Sequence, residues 1–586
     1  MPDRLTKYKR ATAPLPTRNR IWPLYGAGFD NMGHERQPID VPMPEYGPDE
    51  LLVRHDAVGL CFSDVKVIRA GENHPRVYRD MRAHPVVLGH EVTMTVVGVG
   101  EDLRDQYRLG DRFLMQADIY VDGVNLAYGY AIQGGLSLYN VIDQRVLDGD
   151  DGNYLIPVPP GTGYAEIALT EPWTCVITAY NLTYRTALQP GGTTWIIGVP
   201  PSPAGGGVGG GGYTVSAGFD EASHPARLLL TDVPPDFDRW LRARAQALGV
   251  EVIDVDDVTA PLPPSPARGG AGGGVDDVIL LGADPDLIEA ASPHLARFGV
   301  LAIIADTPLG RKVNVDVGRI HYNRWLYVGG PGPDIARAYS DVPARSELKP
   351  GGRAWFVGAG GPMGRMHLQR AIEAPEGPGT ILCTARTDRR LRIVESIYRA
   401  DAEARGIALT CVSQADAAAY ERALETVGGQ GFDDVVVLAP SAGAVAEAAA
   451  HVAPGGVINV FAGLPRGTMA ALDLSPVYLQ GVRVIGHSGL TTEDMHRALR
   501  MVESGQLSPN RLVAAVGSLG AARDGLRALS DAVFPGKIVI YPHIQDLPLT
   551  PLPDLKDRLP GVYARLKDGR EWTAEAEEEL LRVMLP

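Results

Sequence analysis

Between about residue 190 and residue 460 the chain alternates strand-like and helix-like segments, and it does so twice with the same layout. In the first round, Thr194-Trp195-Ile196-Ile197-Gly198, Arg227-Leu228-Leu229-Leu230-Thr231-Asp232, Asp277-Val278-Ile279-Leu280-Leu281 and Val300-Leu301-Ala302-Ile303-Ile304 are short apolar runs, with helical stretches at 237–248 and 287–298. The second round opens with Arg353-Ala354-Trp355-Phe356-Val357, a glycine-rich turn and a helix to 374. Strands at 380–384, 434–438 and 456–461 follow, with helices at 390–404 and 443–452 between them. Strands joined through helices of this length pair in parallel, because a crossover and not a tight turn connects them. The reading is an α/β chain with two tandem doubly wound units, at 176–345 and 346–530.

Upstream, residues 45–170 are β-rich: Glu50-Leu51-Leu52-Val53-Arg54-His55-Asp56-Ala57-Val58 and Val92-Thr93-Met94-Thr95-Val96-Val97-Gly98-Val99 are strand-like, and Gly110-Asp111 turns into Arg112-Phe113-Leu114-Met115. A helix over 173–188, ended by Pro190-Gly191-Gly192, leads into the repeats. A chain of 586 residues needs several cores. Its 70 acidic against 55 basic residues give a formal charge of −15, which argues against a general nucleic-acid or anionic-membrane binder. No apolar run reaches the roughly 18–20 residues of a membrane span, and no apolar signal core follows Met1. Cys61, Cys175, Cys383 and Cys411 lie far apart without a CxxC pair, which fits a reducing cytoplasm. The glycine runs at 204–212 and 268–274 read as surface loops, and 546–586 as a tail docked through a short helix.

Chemistry gathers at Cys61, His90, Glu91 and Glu171, in the strings Gly59-Leu60-Cys61-Phe62-Ser63-Asp64, Leu88-Gly89-His90-Glu91-Val92 and Leu169-Thr170-Glu171-Pro172-Trp173. A thiolate, an imidazole and a carboxylate are zinc ligands, and three of them leave the fourth position open, as catalytic zinc requires. Each alone has an ordinary explanation: a buried small thiol, a core histidine, an acid favoured at a helix N-terminus. Ser63, two residues after Cys61, would point to the same side of an extended segment and offer a hydroxyl for proton transfer. Asp64 reads as a local hydrogen-bonding residue.

GxCxSDxK, GHE and the late Glu-Pro pair resemble the zinc-containing medium-chain dehydrogenase/reductase superfamily, nearest its sorbitol-dehydrogenase-like group, over about 45–190 and 350–542. The resemblance implies a chaperonin-10-like catalytic domain at 1–175, completed by about 530–545, followed by a Rossmann domain. It implies one catalytic zinc on Cys61, His90 and Glu171, Glu91 beside it or as an alternate ligand, Ser63 as the proton relay, and a homodimer or homotetramer. The segment after Arg112-Phe113, where the family's structural zinc lobe would fall, runs from Gln116-Ala117-Asp118-Ile119-Tyr120 to Tyr128-Gly129-Tyr130 without cysteine, so one zinc is expected and not two. That aromatic segment either shapes the substrate pocket or packs as a loop.

Gly358, Gly360, Gly361 and Gly364 stand after a strand and before a helix, where glycines admit a pyrophosphate to a helix N-terminus. The next strand ends in Thr384-Ala385-Arg386, without the acid that would bind the ribose diol of NAD. Arg386 suits a 2′-phosphate, which leans the reading to NADP over NAD. The first unit has the opposite pattern: Asp232 ends its second strand, but Gly198-Val199-Pro200-Pro201-Ser202-Pro203 is no phosphate turn, since proline lacks the amide donor. It reads as a Rossmann-like unit without a dinucleotide site. The expected function is oxidation of a secondary alcohol, or reduction of its ketone, on a polyol, sugar or sugar phosphate. The rivals are a lyase or epimerase that recycles its nicotinamide, and a non-catalytic cofactor sensor.

Overall fold

The computed structural model describes residues 4–180, 185–199, 212–262, 274–340, 347–487 and 489–586. Two compact units divide the chain: Met1–Ile177 with Gly489–Pro586, and Thr178–Ser488. The return to the first unit thus begins at Gly489, ahead of the 530 read from the sequence. Nearly all of both glycine runs, and the Pro200–Pro203 turn, lie outside the described residues. The helix expected over 173–188 is Thr170–Thr178; 181–184 also lie outside them.

The first unit is built on an eight-stranded, largely antiparallel sheet. Its centre is Leu51–Gly59, flanked by Glu91–Val99 on one side and Lys537–Tyr541 on the other. All nine residues of Leu51–Gly59 are buried, its apolar ends and its polar centre Arg54-His55-Asp56 alike, so the central polar groups must find partners inside. Its two charges, Arg54 and Asp56, pair at 2.7 Å inside, with Tyr8 stacked 3.4 Å from the guanidinium. Gly59 stands opposite Glu91, and Val539 opposite Gly59, so three distant segments meet at one end of the sheet. The tail is integral to this unit: Trp572, Leu580 and Leu581 join the core around Tyr164, and the Glu577 carboxylate accepts from the amides of Tyr164 and Ala165 at 2.6 and 2.7 Å.

The second unit holds two six-stranded parallel sheets. In each the strands, numbered by position in sequence, lie in the order 3-2-1-4-5-6, the doubly wound order. The duplication reaches individual atoms. Leu188-Gln189-Pro190-Gly191-Gly192 precedes the first strand of one sheet and Leu348-Lys349-Pro350-Gly351-Gly352 that of the other. Trp195 donates through its indole N–H to Thr231 at 2.9 Å, and Trp355 to Thr384 at 3.0 Å. His294 meets Trp195 edge-on at 5.5 Å, and His451 meets Trp355 at 5.7 Å. At the same irregularity of the fourth strand, the amide of Gln189 donates to Asp277 at 2.8 Å and that of Lys349 to Asp434 at 2.9 Å. These buried carboxylates satisfy amides entering the first strand, which is why two acids stand in otherwise apolar runs.

Candidate functional site

Cys61 closes the strand Leu51–Gly59 and caps the helix Phe62–Ala70; its φ of −116° and ψ of 151° are extended, and the helix begins at the next residue. Ser63 therefore sits in the first helical turn and not on an extended segment. The turn still brings its Oγ to 3.5 Å from the Cys61 Sγ, so the predicted proximity survives for a different geometric reason. Asp64 holds the turn by accepting from the Cys61 amide at 3.0 Å. Fully buried, it also accepts from the Gly89 amide at 3.3 Å and lies 3.2 Å from His90 Nδ1. One carboxylate thus ties the cysteine turn to the histidine loop and leaves the other ring nitrogen of His90 for a ligand.

Ligand atoms of Cys61, His90 and Glu91 all lie within 4.8 Å of one another, a group fit for one metal ion among the described residues. Glu91 Oε1 accepts from the buried Lys537 ammonium. Its Oε2 is buried and takes no hydrogen bond, the mark of an oxygen left for a ligand. A Cβ on Gly59 would lie 2.2 Å from that oxygen, so the strand must carry glycine where Glu91 enters. Thiol, imidazole and carboxylate within that span fit zinc.

Glu171, in the helix Thr170–Thr178, is buried but its carboxylate is not in that group. It stands within electrostatic reach: burial pushes its carboxyl up to about 7, His90 and Lys537 pull against the rise, and Glu91 adds to it. Burial is the largest influence on His90 and lowers it, yet the charge and hydrogen bond of Asp64, together with Tyr130 and Cys61, raise the imidazole well above its ordinary value. Cys175, one turn after Glu171, is held as a thiol by burial, reinforced by Glu171 and Cys61.

Several participants carry no local signal in the sequence. Lys537 comes from the start of a strand 446 residues beyond Glu91. Tyr130, from the cysteine-free aromatic segment, is buried with its ring 5.9 Å from that of His90 and 5.4 Å from that of His74. Arg76 lies over the same tyrosine at 5.9 Å and pairs with Asp118 at 2.7 Å. Burial, with Arg76 and Lys66 nearby, pushes the His74 imidazole down to about 4.

In the second unit the glycine turn has the expected setting. Gly358 has φ +93°, and Gly361 caps the helix Pro362–Glu373 without a side-chain hydrogen bond. A Cβ on Gly364 would fall 2.6 Å from Ala359, so the helix packs directly on the turn. A Cβ on Gly360 would meet the Arg390 side chain at 2.6 Å, whereas one on Gly361 would meet nothing within 4 Å. Arg386, Arg389 and Arg390 are all exposed there. Sequence reading singled out Arg386 alone; Arg390, in the first turn of the helix Asp388–Ala404, packs against Gly360.

The Alcohol dehydrogenase GroES-like domain family matches residues 47–148. Mannitol-1-phosphate 5-dehydrogenase of Aliivibrio fischeri is 30% identical over 309 residues, which cover 50% of this chain and 70% of that protein. L-sorbose 1-phosphate reductase of Klebsiella pneumoniae is 27% identical over 298 residues, 50% of this chain and 71% of that protein. D-arabitol-phosphate dehydrogenase of Enterococcus avium is 26% identical over 309 residues, 52% of this chain and 79% of that protein.

Proposed function

The chain belongs to the zinc-containing medium-chain dehydrogenase/reductase family, an alcohol dehydrogenase-type enzyme, and on that premise we propose that it interconverts a secondary alcohol of a polyol or sugar phosphate with its ketone, using one zinc ion and NADP. The observation that carries the reading is the convergence of Cys61, His90 and Glu91 around a buried carboxylate oxygen without a partner. When bound, zinc polarises the alcohol or carbonyl oxygen and the nicotinamide takes or gives the hydride.

The rest is the work of this chain's side chains. Cys61, His90 and Glu91 hold the ion, and Glu171 is the adjacent carboxylate. Asp64 fixes the His90 ring, and Lys537 offsets the charge of Glu91, so that two acids and a thiolate can share a buried site. Ser63 takes the proton of the substrate hydroxyl and passes it outward. In the second unit the amides opening Pro362–Glu373 receive the pyrophosphate. Arg386 and Arg390 take the 2′-phosphate; no acid stands at Thr384-Ala385-Arg386 to favour the free ribose diol. Arg76 lies over Tyr130, whose ring is beside that of His90, and Lys66 is near enough to His74 to act on it. These two cations favour a phosphorylated substrate, while His74, pushed down to about 4, stays neutral and can donate one hydrogen bond.

Metal content and NADP(H)-linked turnover over a panel of polyols and their phosphates test this, with Cys61→Ser beside the parent. The expected result is about one zinc per parent chain, turnover of a polyol phosphate with net cofactor reduction, and loss of both zinc and turnover in the folded variant. Equal activity in Cys61→Ser overturns the site. Turnover with no net change in NADP moves the reading to a lyase or epimerase.

A further inference from the structure

The two doubly wound sheets meet through contacts that come in exchangeable pairs. Between the fifth and sixth strands, each sheet's segment carries one extra short strand: Val313–Asp316 in the first, Met469–Leu472 in the second. These run antiparallel, with Val313 opposite Leu472 and Asp316 opposite Met469, so the first residue of each faces the last of the other. That is the register a two-fold axis between equal elements imposes. The following helices reach across in the same reciprocal way. His321, on Val317–Asn323, lies 3.0 Å through Nδ1 from the carbonyl of Val460, at the end of the opposite fifth strand. Tyr478, on Ser475–Leu479, donates at 2.7 Å to the carbonyl of Thr307, just past the end of the other fifth strand. The sixth strands Leu326–Gly330 and Arg483–Ile485 pack against each other, and a Cβ on Gly329 would fall 2.5 Å from that of Tyr478. One apolar core runs through the join: Val313, Val315 and Ile320 with Leu472, Leu474 and Val477.

A surface that contacts its own duplicate through a two-fold axis is self-complementary, and it can be used once. We propose that the first doubly wound unit occupies, within one chain, the face through which two copies of such a unit would pair, so that the protein is a monomer built as an internal dimer. Because the two units belong to one chain, each meets the other at an effective concentration on the order of millimolar, which a second chain in dilute solution does not match. This explains why the first unit keeps the scaffold atom for atom while its first turn departs from a phosphate-binding pattern: it is retained for its edge. It departs from the homodimer or homotetramer that resemblance implies, and it stands whether or not the proposed chemistry is right.

Sedimentation of the full chain over a wide dilution series, with and without NADPH, tests the consequence; a single-chain mass throughout is expected. The join is tested by the double variant Val315→Cys/Ala470→Cys, two buried residues paired in register. A mild disulfide oxidant should close a bond between these thiols within one chain, seen as a monomer on non-reducing gels and as one linked peptide after digestion. A stable dimer of the parent chain, a bond formed between chains, or no bond at all overturns the proposal.

Discussion

The two doubly wound units share what makes the fold and differ in what meets a ligand. Both carry Leu-x-Pro-Gly-Gly before the first strand, a tryptophan bonded to a threonine on the second strand, and buried aspartates at the fourth. At the end of the first strand they part. Gly358 opens a turn with further glycines at 360, 361 and 364, and the next strand runs out into Arg386. The matching Gly198 lies under Asp232, whose carbonyl a Cβ there would meet at 2.0 Å, and Asp232 itself has φ +47°. Scaffold and ligand determinants are therefore separate sets of residues, and a duplicate can keep one set while losing the other.

The sharpest way to break this comparison is Gly361→Asp. Nothing lies within 4 Å of a Cβ there, so the fold tolerates it, but a carboxylate then stands where the pyrophosphate belongs. NADPH affinity should fall on the order of 100-fold or more, because the helix N-terminus is filled by a charge of the wrong owner. An unchanged dissociation constant by fluorescence titration would remove the second unit from cofactor binding. Arg390→Ala comes next. It should weaken NADPH about 10-fold, the scale of one charge-assisted hydrogen bond, and leave NADH nearly unaltered. Equal losses for both cofactors would assign Arg390 to packing against Gly360.

The smallest effects test the shared half. Thr231→Val and Thr384→Val each strand a buried tryptophan N–H, at a cost of about 1–3 kcal/mol by urea unfolding. The two losses should be alike, and neither should change NADPH affinity. A large loss in one and none in the other would mean that the units are alike in outline only.

The sequence made the parallel sheets legible because local alternation of strand and helix already dictates crossovers, and it made Cys61 and His90 legible because ligand chemistry is carried by residue type. It favoured Glu171 as the third ligand and kept Glu91 as the alternate, whereas the group that comes together holds Glu91. What it could not show depends on distant chain segments. Lys537 reaches Glu91 only because Lys537–Tyr541 is the neighbour of Leu51–Gly59 in the sheet. Tyr130 belongs to a segment whose sequence fits pocket lining and loop packing equally, and only the fold lays its ring beside that of His90. Ser63 was placed on an extended segment because the two-residue spacing fits a strand; the Asp64 cap, which starts a helix at Phe62, decides otherwise. The reciprocal join of the two sheets was hidden as well: Val313–Asp316 and Met469–Leu472 are too short and too ordinary in composition to announce a partner.

The division of labour between the duplicates is tested most directly by the stoichiometry of NADPH binding to the full chain. One equivalent per chain, abolished by Gly361→Asp, is the predicted result. Two equivalents, or one that survives Gly361→Asp, would place a working dinucleotide site in the first of the two doubly wound sheets and contradict the account.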